Sequence, residues 1–174
     1  MTKNKILGLI VFSVLLGACA APKVMLTSIF DAQEMSDKLD EGTNAIKGSA
    51  LIRQNGGGTV TCAGGDVGLV PVTNYSTERM LVLYKNDERG YRSRLMNGTQ
   101  SPFANDNSEY LKMGRRAKCD AQGFFKFEKL KDGSYYIFTA IQWNVPGSYV
   151  TEGGSLMVKA AVKNSQTTEI VMAP

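Results

Sequence analysis

The chain has 174 residues, 43% of them hydrophobic and 21% charged, with 20 Lys and Arg against 16 Asp and Glu for a formal charge of +4. That length holds one compact domain with attachments rather than two full ones, and the charged and aromatic content belongs to a folded chain. Histidine is absent, so no Ser–His or Cys–His dyad and no His-containing zinc site can form, and neither a metal nor a cofactor is expected.

Lys3 and Lys5 precede an apolar run from Ile6 to Leu16, far short of the ~20 residues that cross a bilayer. A basic start, a short apolar centre and small residues at the end describe a secretory signal rather than a membrane span. Leu16-Gly17-Ala18-Cys19 resembles a bacterial lipobox. The resemblance implies that residues 1–18 are a lipoprotein signal peptide and that Cys19 becomes the N-terminus, carrying a diacylglyceryl thioether and an amide-linked acyl chain such as palmitate. An ordinary cleavable signal with an incidental cysteine is the alternative. Two or more acyl chains anchor a protein durably where one does not. Ala20 follows Cys19, in place of the Asp that retains such proteins in an inner membrane. In a Gram-negative envelope the expected location is therefore the outer membrane, lipid-anchored, with the body in the periplasm. A Gram-positive surface is the other setting open to this pattern. Loss of Lys3 and Lys5 with the signal lowers the formal charge by two, and no argument for nucleic acid as a partner survives that correction.

Residues 19–28 read as a lipidated tether. In residues 29–44, Ile29, Ala32, Met35 and Leu39 recur at helical spacing between acidic residues, with Gly42 near the end, which predicts a short amphipathic helix packed on the body. From Ile46 the period becomes two: Ile46, Gly48, Ala50 and Ile52 alternate with Lys47, Ser49, Leu51 and Arg53, as on a strand with one buried face. Gly56-Gly57-Gly58 interrupts the alternation and Thr59–Cys62 resumes it, the pattern of a hairpin. A phosphate-cradling loop would need Gly-Lys-Ser/Thr and a helix to follow, and neither does. Val67–Val72 is a further strand whose Pro71 belongs at an edge. Met80–Tyr84 reads as a short helix capped by Ser76 or Thr77, with a strand as the alternative. The remainder of residues 75–117 is polar and rich in Asn, Asp, Gly and Ser, a long inserted connection of the kind that is often functional.

Cys62 and Cys119 are the even pair left in an exported chain and read as one disulfide, worth roughly 4 kcal/mol by loop entropy. Two reduced, buried cysteines are the alternative. Beyond Cys119, Phe125, Phe127 and Leu130 fall on one side of a strand and Lys126 and Glu128 on the other. Asp132-Gly133 is a turn, and residues 135–143 are apolar on both faces, as in a central strand. Leu156, Val158, Ala160 and Val162 follow Gly153-Gly154, and Ile170 and Met172 close the chain. Short strands at this spacing with glycine turns predict an all-β fold, a single β-sandwich over residues 45–174.

The run CDAQGFFKFEKLKDGSYYIFTA resembles the carboxypeptidase regulatory-like family of transthyretin-like β-sandwiches, related in architecture to Ig-like ones. Gly123, Phe125, Phe127, Leu130, Gly133 and Tyr135 match its order of turn glycine, paired aromatics, Leu and Gly-x-Tyr. Ile46-x-Gly48 with Ala50 is similar to its first strand, and GGSLMVKAAVKNSQTTEIVM to its closing hairpin. The long connection departs from the family. The resemblance implies an accessory or binding module without catalysis, in which Cys62 and Cys119 pin an early strand to the strand entering the paired-aromatic turn.

Arg89, Tyr91, Arg92 and Arg94, then Lys112, Arg115, Arg116 and Lys118, concentrate positive charge in and beside the connection. Arginine with aromatic neighbours suits phosphate or anionic glycan; a solvated loop balanced by Asp87, Glu88, Asp106 and Glu109 is the alternative. Trp143, near Tyr135 and Tyr136, is either an exposed contact for sugar or protein, or ordinary core. The carboxylates of Asp87, Glu88, Asp106 and Glu109 could in principle form a glycosidase pair, but the sequence gives no separation for them and acids in a polar loop are usually solvated. No catalytic residue is expected and the chain is not read as an enzyme, with carboxylate chemistry left as a third class. The leading reading is a lipid-anchored, non-catalytic interaction or structural module that offers an edge strand or the basic loop to an envelope protein. A binder of envelope carbohydrate or lipopolysaccharide through the basic connection is one alternative. A lipoprotein component of a secretion or conjugation complex is another.

Overall fold

The computed structural model describes residues 22–98, 100–147 and 149–174. Helix α1 (Ala32–Leu39) is capped by Asp31, whose carboxylate accepts the N–H groups of Gln33 and Glu34. That cap starts the helix three residues after Ile29, which is left exposed, so only Met35 and Leu39 of the expected stripe turn inward. Asp40 is extended, and residues 41–44 belong to strand β1 (Glu41–Arg53) rather than to the helix. Asn44 explains the early start. It is buried, its amide donates to the Leu130 carbonyl and to Asp132, and its oxygen accepts the Gln166 N–H.

The rest of β1 keeps the alternation read from it, with Ile46, Gly48, Ala50 and Ile52 buried. It pairs antiparallel with β2 (Thr59–Thr61) across the triple-glycine hairpin, and with β6 (Phe124–Leu130). Ala50 accepts from Cys62 N–H and donates to the Gly123 carbonyl, so β2 and β6 follow one another along the same side of β1. The other side pairs in parallel with β9 (Thr167–Met172).

A second, five-stranded antiparallel sheet has the order β4-β8-β7-β3-β5. Its members are β3 (Asp66–Pro71), β4 (Arg89–Ser93), β5 (Arg115–Lys118), β7 (Gly133–Asn144) and β8 (Thr151–Val162). Pro71 ends β3 without cost. Val72 N–H bonds Ser134 on β7, so the missing donor of Pro71 faces the β5 side, where pairing stops at Leu69.

The two sheets face each other across Ile46, Ile52, Val67, Leu69, Phe125, Phe127, Leu130, Ile137, Leu156 and their neighbours, as in a β-sandwich. The opposite face of the larger sheet is covered too. Val70, Tyr136 and Met157 pack there under Leu26, Met35, Tyr75, Met80, Phe103 and Tyr110. That cover is why β7 is apolar on both faces.

Much of the cover comes from residues 75–117, which are not a connection lacking structure of its own. They carry α2 (Asn74–Tyr84), β4, α3 (Arg94–Asn97), α4 (Tyr110–Met113) and β5. The cap of α2 is Thr73, earlier than expected: its hydroxyl accepts Ser76 N–H and Ser76 Oγ accepts Thr73 N–H.

A candidate ligand-binding groove

The expected basic surface is divided by the sheet order. Arg89, Tyr91 and Arg92 lie on β4, with Arg94 opening α3 beside them, whereas Arg115 and Arg116 lie on β5. These strands are the two outer edges of the five-stranded sheet, about 19 Å apart at the usual strand spacing. Several of these side chains have structural work. Arg92 donates to the carbonyls of Asn97 and Gly98, and Tyr91 to that of Gly153. Arg115 donates to the carbonyls of Leu39 and Glu128, tying β5 to α1 and β6. Trp143 is half-buried against the core between the sheets. Cys62 and Cys119 form the disulfide, with Cα atoms 5.8 Å apart. Cys19 lies outside the described residues.

Arg116 lines an open groove of about 830 Å³. Its floor is the outer face of the smaller sheet, and one wall is β5. Register assembles that floor in two rows. Ser49 on β1 stands between Phe124 on β6 and Val171 on β9. One step along, Lys47 stands between Lys126 and Glu169. β5 adds Arg116 and Lys118, and Asp120 closes the end. Phe124 and Val171 are 57% and 59% exposed, an apolar strip on a face that otherwise meets water.

Phe124 is outward because Gly123 permits the turn before it. Gly123 has φ 87°, and an added Cβ would stand 2.6 Å from Thr61 Cβ. Asp120 Oδ1 accepts the N–H groups of Gln122 and Phe124, which fixes the ring's starting point.

The groove's charges are unevenly matched. Lys118 pairs with Asp66 at 3.0 Å, and Lys126 pairs with Glu128. The Glu128 carboxyl is held below its ordinary range chiefly by the hydrogen bond from Lys126, with Lys47 adding to the effect. Among the described residues, Lys47 and Arg116 make no ion pair, although Lys47 sits directly opposite Lys126 in register. Like charges so placed disfavour the pairing.

Lys47, Phe124 and Lys126 were not among the site residues expected from sequence. The signal was present: in FFKFEK the outward positions read Phe124, Lys126, Glu128, and the aromatic is the misfit in an otherwise charged row. What the chain order hides is that β5 stands beside this face.

No family model and no curated protein matches the sequence. Among solved structures, one from Pseudomonas aeruginosa, described as a candidate carbohydrate-binding protein, superposes with a TM-score of 0.68 at 22% identity, over 83% of this chain and 97% of that one. The two chains share a fold.

Proposed function

We propose that this β-sandwich is a non-catalytic carbohydrate-binding module of the bacterial envelope, anchored by lipid on Cys19 and held at the outer membrane with its body in the periplasm. The observation that carries the reading is the groove: an exposed Phe124 ring beside Ser49, Lys47 and Lys126 in an open cavity of about 830 Å³. A ring face covers the C–H faces of a sugar, while a few hydroxyl and ammonium groups fix its oxygens. The shared fold with a candidate carbohydrate-binding protein supports the same reading. The order of Gly123, Phe125, Phe127, Leu130, Gly133 and Tyr135 supports a transthyretin-like assignment of the sandwich, and the Leu16–Cys19 pattern supports the anchor.

The test is a glycan array probed with the protein lacking residues 1–18 and with its Phe124→Ala variant. We expect binding by the parent and at least a tenfold loss in the variant, the ring's removal costing about 1.4 kcal/mol or more. An array without signal overturns the carbohydrate reading. It would leave the second one, an envelope protein partner, which is favoured by exposed Leu95, Met96 and Tyr149 at the far end of the larger sheet.

A further inference from the structure

The groove's polar groups specify more than a sugar. We infer that it selects saccharides carrying a carboxylate or phosphate, with Lys47 and Arg116 holding the anion while the sugar ring rests on Phe124. The inference rests on the carbohydrate reading above and narrows its ligand class.

The argument is one of unmatched charge. In a folded sheet, two lysines directly opposite each other cost free energy unless an anion lies between or beside them. Lys126 is relieved by Glu128, two residues along its own strand. Lys47 occupies the centre of the floor; the Glu128 carboxylate feels its charge and Glu169 is its neighbour in register on β9, but neither forms an ion pair with it. Arg116 likewise has no carboxylate partner, while its planar fork suits carboxylate and phosphate oxygens in pairs. Asp120, the other acid of the wall, spends one oxygen on two backbone N–H groups.

The neutral part of the ligand has its own place. The Phe124–Ser49–Val171 row is apolar at both ends, with one hydroxyl between, and it adjoins the Lys126–Lys47–Glu169 row one step along the strands. A sugar ring on the first row therefore places a substituent over the second. The cavity is large enough for a short oligosaccharide rather than a single sugar.

The test compares charged and uncharged partners of the same backbone by calorimetry: tetragalacturonate with its methyl ester, and singly phosphorylated maltotetraose with maltotetraose. We expect the charged member of at least one pair to bind about tenfold more tightly at low salt, and the advantage to shrink as salt rises. Which pair responds separates carboxylate from phosphate. The advantage should disappear in Lys47→Gln/Arg116→Gln, whose sites are exposed, and should grow in Glu169→Gln, which removes a competing carboxylate. Phe124→Ala should weaken charged and uncharged members alike. Equal binding of the members of both pairs, or an advantage that survives the double variant, overturns the inference and leaves the carbohydrate reading standing. No binding of any of the four also overturns the inference, while the carbohydrate reading stands or falls with the glycan array.

Discussion

Glu78 holds the segment that leads into the domain. Its carboxylate accepts the N–H groups of Thr27 and Ser28 and the Thr27 hydroxyl, all within 2.7–2.9 Å. Those bonds favour the charged form, and the backbone donor of Thr27 first, then that of Ser28, draws the pKa from 4.5 down to about 2. A depressed carboxyl pKa stabilises the fold above the unfolded value and stops doing so as pH falls through the folded one. The Thr27 and Ser28 contacts should therefore hold above pH 4.5 and be lost progressively as pH falls from there to about 2. Amide protection at these two residues, taken relative to the intrinsic exchange rate at each pH, should fall over that window, and in Glu78→Gln it should be lower at neutral pH and insensitive to the same change. The next residue is also a clamp. Arg79 is buried with its guanidinium 4.3 Å from the Phe103 ring centre and 4.7 Å from that of Tyr110, and it pairs with Asp106. Burial pushes the Tyr110 phenol well above its ordinary range. Neither clamp was visible in sequence, where Glu78 and Arg79 are two charges on a helix and Thr27, Ser28, Phe103, Asp106 and Tyr110 lie 24 or more residues away.

Elements were legible where their period is strong. The alternation from Ile46 to Arg53, the triple-glycine hairpin and the two-faced apolar run of β7 all stand in the structure as read. Boundaries moved where one side chain decides them: Asp31 and Thr73 start their helices, and Asn44 extends β1 through three long-range hydrogen bonds. β4 and β5 escaped notice because RGYRS and RRAK have no apolar alternation of their own. They are strands because β8 and β3 offer them ladders, a tertiary cause that overrides local propensity. The disulfide works at this scale. Cys62 follows β2 in the smaller sheet and Cys119 follows β5 in the larger, 57 positions apart, so the bond ties the two sheets at one corner. Replacing both cysteines by Ala should lower stability by about 4 kcal/mol, read as a shift in the urea midpoint. Reductant should shift the parent similarly and leave the variant unmoved.

At the scale of the molecule, three layers stand one over another: the smaller sheet, the larger sheet, and the helices and segments that cover it. The uncovered face of the smaller sheet carries the groove, on the side of the molecule away from Leu26 and the cover of the larger sheet. If Cys19 is the anchor, Cys19→Ala should abolish incorporation of a palmitate analogue in the native host and move the protein from the membrane to the soluble fraction. Labelling that persists in the variant would remove the anchor from the proposal. By itself the sequence determined what depends on neighbours along the chain: the periodicity of the strands, the glycine turns, the inward and outward faces, and the even pair of cysteines. Only the tertiary structure decided which strands are edges, and therefore that the arginines of residues 89–94 and of 115–116 lie on opposite sides of one sheet. It alone placed Arg116 along the same groove as Lys47 and Phe124, which come from strands far apart in the chain. The reason is that alternation tells a side chain which face to take, whereas the order of strands across a sheet is set by how the faces close over a shared core.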